Sequence, residues 1–77
     1  MEAKIEKDLI PVKHAVREIM GERIEFLQID VPNGWEDVKK ICKKVLSFEG
    51  VRFTFTGWNS DGNYACFRES SQFARIV

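Results

Sequence analysis

A chain of 77 residues, 44% hydrophobic and 31% charged, has the balance of an ordinary globular protein, and its length suits one small α/β domain spanning 1–77. Twelve basic and twelve acidic side chains cancel, which removes the general basic excess that nucleic-acid binders draw on and gives no reason for attraction to an anionic membrane. No stretch is apolar and long enough to cross a bilayer as a helix.

In chain order, the first fourteen residues alternate charged and apolar groups, unlike a secretory leader, so a cytoplasmic location is expected. Ile5, Leu9, Val12, Val16 and Ile19 recur every three or four residues and predict a first helix. Its main part opens at Asp8 as N-cap, so that Pro11 falls in the first turn, and Gly21 closes it. Arg23 to Val31 is rich in β-branched and aromatic residues and reads as a strand apolar on both faces, ended by Pro32. Residues 33–50 read as a second helix burying Trp35, Val38, Ile41, Cys42, Val45 and Phe48. Asn33 and Glu36 fit a capping box, Glu36 and Lys40 a favourable i, i+4 pair, and Gly50 a stop.

Val51 to Thr56 alternates cleanly and predicts a half-buried strand, with residues 63–69 as its hairpin partner. Residues 70–77 read as a short extra strand or a short helical turn, with the strand preferred. The expected fold is α+β, in the order α-β-α-β-β(-β). It is a two-layer sandwich, a mixed three- to four-stranded sheet with two helices on one face and a right-handed crossover joining two parallel strands.

The segment Asn59-Ser60-Asp61-Gly62-Asn63 carries turn chemistry. Asn59 bonds the backbone ahead of it and Gly62 takes a left-handed bulge position, closing a three-residue loop with Asn59 opposite Asn63. Counted outward, Trp58 meets Tyr64, Thr56 meets Cys66, Phe55 meets Phe67 and Thr54 meets Arg68. A two-residue Asp61-Gly62 turn competes, but it sets core-facing Phe55 opposite Arg68. The preferred register gathers Arg52, Thr54, Thr56, Trp58, Tyr64 and Arg68 on an outer face, extended by Ile24 and Phe26.

Chemistry is sparsely signalled. Cys42 and Cys66 lack zinc-motif spacing and read as reduced packing residues; His14 is the only histidine and reads as a rim residue pairing with Glu18. No glycine loop for phosphate is present, and the 59–63 turn has too few carboxylates for calcium, so no catalytic, cofactor or metal site is assigned. Lys39, Lys40, Lys43 and Lys44 form a basic face on the second helix, read first as a solvated face and otherwise as a dock for phosphate or an acidic protein.

Trp, Tyr and Arg together on the outer face suit a protein hot spot, a stacking platform for bases, or simple hairpin support. The leading expectation is a non-enzymatic interaction domain that self-associates through its open sheet face or a strand edge. A single-stranded nucleic-acid module is the alternative, and a small enzyme or ligand binder with an unrecognised site is a third.

Overall fold

The computed structural model describes residues 1–70. It contains seven strands and one short helix: β1 (Glu2–Ile5), β2 (Asp8–Pro11), β3 (Lys13–Ile19), β4 (Glu22–Asp30), α1 (Trp35–Ile41), β5 (Val45–Phe48), β6 (Val51–Asn59) and β7 (Tyr64–Glu69). The strands form one sheet in the order β2-β1-β5-β6-β7-β4-β3. Every neighbouring pair is antiparallel.

This overturns the expected two-helix sandwich. Residues 8–19 are two strands, and their apparent helical stripe does not mark one buried face: Ile5 and Val12 are buried, whereas Leu9, Val16 and Ile19 are exposed. Pro11 is tolerated because β2 is an edge strand, with no described partner needing its missing N–H. The second predicted helix stops at Ile41; residues from Val45 onward form β5, with Leu46 and Phe48 buried and Val45 and Ser47 exposed. The two strands expected to pair in parallel, β4 and β6, each pair with β7, which lies between them.

Gly21 and Gly50 do adopt the left-handed backbone inferred for them, at φ 81 and 79, but at hairpin turns rather than helix ends. Met20 and Glu49, the residues before them, also have positive φ, 52 and 51. Two consecutive left-handed residues twist a two-residue turn to match its flanking strands.

The sheet curls strongly. β2 and β3 lie at opposite edges of the strand order, yet only Val12 separates them in the chain, so the two edges meet there. Val12 is buried and its N–H donates to the Met1 carbonyl at 2.9 Å. Across the same interior, the His14 ring on β3 packs against Phe48 on β5 with centroids 5.4 Å apart.

The core fills this curl. Leu27, Leu46, Phe53, Ala65 and Phe67 are each 0–1% exposed. Each large apolar side chain moved from water contributes roughly 1.5–3 kcal/mol, which is what holds a sheet this strongly bent. Helix α1 places one fully buried residue, Val38, in the same core cluster as Val31, with Ile41 and Cys42 packed against that cluster.

The helix start also differs from the expected capping box. The N-cap is Gly34, at φ 61, which makes Asp37 the third helical residue. The Asp37 carboxylate, not that of Glu36, reaches back: it accepts the Asn33 backbone N–H at 3.0 Å and the Asn33 side-chain amide at 3.2 Å. These bonds hold the Asp37 carboxyl below its usual range, with Lys40 adding a smaller pull the same way. Glu36 pairs instead with Lys39 at 3.2 Å. The expected strand at 70–77 lies, from residue 71 onward, outside the described residues.

Candidate functional site

The β6–β7 hairpin differs from the expected register at one point, and the difference rearranges the candidate face. Phe53 opposite Glu69, Thr54 opposite Arg68 and Phe55 opposite Phe67 stand as anticipated. Beyond them β6 carries one extra residue, Thr56, so that Gly57 meets Cys66, Trp58 meets Ala65 and Asn59 meets Tyr64. The Thr56 hydroxyl donates to the Cys66 carbonyl at 3.2 Å, across the bulge.

Directly paired residues share a face of the sheet, and neighbours in a strand alternate. Thr54, Tyr64 and Arg68 therefore share the outer face with Phe26, as expected, and Arg52 follows by alternation. Trp58 does not. It falls on the inner side with buried Ala65, and its ring reaches the start of α1, where a Cβ on Gly34 would lie 3.3 Å from it. There Trp58 meets Trp35, ring centroids 5.9 Å apart and tilted by 38°. Both indoles keep a solvent-facing part, 37% exposed for Trp58 and 52% for Trp35, so Trp35 is not the core residue its helical spacing suggested.

The loop closing this hairpin has four residues, Ser60 to Asn63, and its left-handed residue is Asn63, at φ 51, rather than Gly62. Asn59 organises it. Its side-chain oxygen accepts the Gly62 N–H at 2.9 Å, and its amide donates to the Tyr64 hydroxyl at 3.0 Å. Gly62 is required for a separate reason: a Cβ there would lie 2.5 Å from the Tyr64 ring.

Between this loop and β3 lies an open cleft of about 550 Å³ on the outer face. Its walls include Arg17 from β3, Phe26 and Gln28 from β4, Tyr64 and Cys66 from β7, and Asp61 from the loop. Neither Arg17 nor Gln28 forms a side-chain hydrogen bond or ion pair with another described residue. Burial pushes the Cys66 thiol up from its ordinary range, and the nearby Arg17 guanidinium partly offsets it. Phe26 and Tyr64 were legible in the sequence as surface aromatics. Arg17 was not, because a helix drawn through residues 8–20 hides the fact that β3 borders β4, and Gln28, on a strand that was read as such, was not singled out.

The remaining candidates are dispersed. Lys39 and Lys40 lie on α1, but Lys43 and Lys44 follow its end, so the four do not form one helix face. Lys39 is paired with Glu36, and Lys44 reaches Glu6 on the β1–β2 turn. His14 sits beside Glu25 rather than Glu18, its Nε2 3.5 Å from Oε1 and short of a hydrogen bond. It faces the interior whereas Cys66 faces outward, so the two are on opposite sides of the sheet. Among the described residues no group of three or more His, Cys, Asp or Glu side chains is placed to hold a metal ion, and no helix is long and apolar enough to cross a membrane.

The chain matches no protein-family model, and no curated protein or solved structure is significantly similar to it.

Proposed function

We propose that this chain is a non-enzymatic interaction module that pairs with a second copy of itself through the edge of β3 that no other described strand covers. The observation that carries this reading is the hydrogen-bond phase of that edge. Ile19 and Glu22 flank a two-residue turn, so they exchange backbone hydrogen bonds with each other. Counting back by twos, Lys13, Ala15 and Arg17 also bond to β4, which leaves the N–H and C=O groups of His14, Val16 and Glu18 directed outward from the sheet.

An antiparallel two-fold pairing centred on Val16 satisfies all three. Val16 meets Val16 of the second copy, and His14 meets its Glu18, an acidic partner for the imidazole. The apolar exposure of this hairpin supports the same reading: Val16 is 43%, Ile19 41% and Met20 97% exposed. An edge that no other described strand pairs is a template for another strand.

Sedimentation velocity tests the proposal. The wild-type chain is expected to reach a dimer within the micromolar range, and Val16→Lys, which sets two ammonium groups face to face at the two-fold axis, to remain monomeric. Val16→Thr, isosteric and compatible with a strand, should keep the dimer. A wild-type chain that stays monomeric throughout that range, or a Val16→Lys variant that dimerises equally well, overturns it.

A further inference from the structure

The outer cleft has a composition that the β3-edge reading does not use, and it lies on the sheet face rather than on the edge. A cavity of about 550 Å³ is in the size range of small-molecule sites, which are typically a few hundred to about 1,000 Å³. It combines groups with separate demands. Phe26 and Tyr64 offer ring surface. Gln28, half-buried on the floor opposite Cys66, has neither the donor nor the acceptor of its amide bonded to another described residue. Arg17, exposed at the rim, has no carboxylate partner among the described residues. Asp61 and Ser60 supply acceptors at the turn.

We propose that this cleft binds an adenine nucleotide unit. A side-chain amide is the group that pairs with the adjacent acceptor and amino donor on the edge of adenine. Flat aromatic side chains stack on bases without demanding a particular one, each worth roughly 1–3 kcal/mol. The guanidinium of Arg17 takes the phosphate, for which its forked donors are shaped. Asp61, at the turn, accepts from the ribose hydroxyls, leaving its charge away from the phosphate. The turn hydrogen bonds of Asn59 fix Tyr64 in place beforehand, so little order is lost on binding. One arginine and balanced overall charge set the scale: the site holds one nucleotide rather than tracking a long phosphate backbone.

Cys66 provides a reporter inside the cleft and Cys42, at the C-terminal end of α1, one outside it. The experiment is a titration of the full chain with adenosine 5′-monophosphate, read by amide chemical shifts and by iodoacetamide labelling of the two cysteines resolved by peptide mass spectrometry. Binding is expected to shift the amides of residues 15–17, 26–28, 56–61 and 64–66, and to protect Cys66 while leaving Cys42 labelled at its original rate. Arg17→Ala is expected to weaken binding about tenfold, the loss of one charge-assisted contact. Gln28→Glu, which cannot donate from its carboxylate, should weaken adenosine monophosphate binding and reduce its preference over uridine monophosphate.

A single-stranded oligoadenylate distinguishes the two sources of such a ligand. Affinity per site equal to that of the mononucleotide indicates a free nucleotide, and affinity at least tenfold higher indicates a strand end or internal nucleotide; either supports the assignment. Absence of shifts and of Cys66 protection at millimolar nucleotide overturns it. So does binding that Arg17→Ala and Gln28→Glu leave unchanged. Neither result bears on dimer formation, because Arg17 and Gln28 contribute no outward backbone group to the pairing at Val16.

Discussion

Trp58 stands opposite Ala65, with Tyr64 displaced to Asn59, and one inserted residue, Thr56, is the cause. A bulge changes which face every later side chain takes, so the indole goes to the α1 side and the phenol stays outside. The Trp35–Trp58 contact is then a coupled pair of chromophores at 5.9 Å. Near-ultraviolet circular dichroism should show an exciton signature that Trp35→Phe and Trp58→Phe each abolish and Tyr64→Phe leaves intact. A signature that survives Trp35→Phe would place Trp58 elsewhere.

The turn at residues 60–63 depends on Asn59 more than on any charge. Replacing Asn59 by Ala removes the acceptor for Gly62 N–H and the donor to the Tyr64 hydroxyl, for an expected loss of about 1–2 kcal/mol in urea unfolding. Gly62→Ala forces the Tyr64 ring off the loop, since a Cβ would lie 2.5 Å from its Cε1. The cost should be about 1 kcal/mol in the wild-type background and near zero once Tyr64 is Ala, a coupling that a double-mutant cycle measures. Additive losses would show that the ring and the glycine do not meet.

β4, β6 and β7 were readable because their chemistry is local. β4 and β6 are long runs of β-branched and aromatic residues, and Phe55 and Phe67 point to each other through alternation alone. β1, β2, β3 and β5 were not, for identifiable reasons. Glu2-Ala3-Lys4-Ile5 alternates with period two, a strand signal, and Ala3 and Ile5 are indeed the buried pair of β1. A competing 3–4 spacing from Ile5 to Ile19 crosses the β1–β2 hairpin turn and the β2–β3 corner at Val12, and happens to imitate a helix. Gly21 and Gly50 required a left-handed backbone in either reading, so they could not decide between a helix end and a hairpin turn. The cleft inherits this: Phe26 and Tyr64 were visible one strand at a time, but Arg17 joins them only through the β3–β4 pairing. The Thr56 bulge has no residue-type signature, and with it the placement of Trp58 was out of reach.

Core substitutions separate the strand architecture from a helical first segment. Leu27→Ala empties a fully buried site and should cost about 2–5 kcal/mol. Val12→Ala, at the corner where the sheet edges meet, should cost about 1–3 kcal/mol, whereas Leu9→Ala, 64% exposed, should stay within about 0.5 kcal/mol. On a helix with Leu9 and Val12 in one stripe, both losses would be large. Equal losses by denaturant unfolding would therefore contradict β2 as an exposed edge.

Asp37 gives the fold a defined pH response. Its carboxyl is held below the ordinary value of 3.8, first by the Asn33 backbone N–H, then by the Asn33 amide and by Lys40. A carboxylate whose folded pKa is depressed binds fewer protons folded than unfolded. Its contribution is therefore fully present above the unfolded pKa and is lost as pH falls through the folded one. Asp37→Asn removes the charge while preserving size and one acceptor. The stability gap between wild type and variant should be constant from about pH 5 to about pH 7 and close progressively below about pH 4. The group is fully exposed, so the gap will be small and should narrow further in high salt. Thermal unfolding of both proteins along this pH series measures it, and a gap that persists unchanged at about pH 2 would mean that the Asp37 charge does not hold the start of α1.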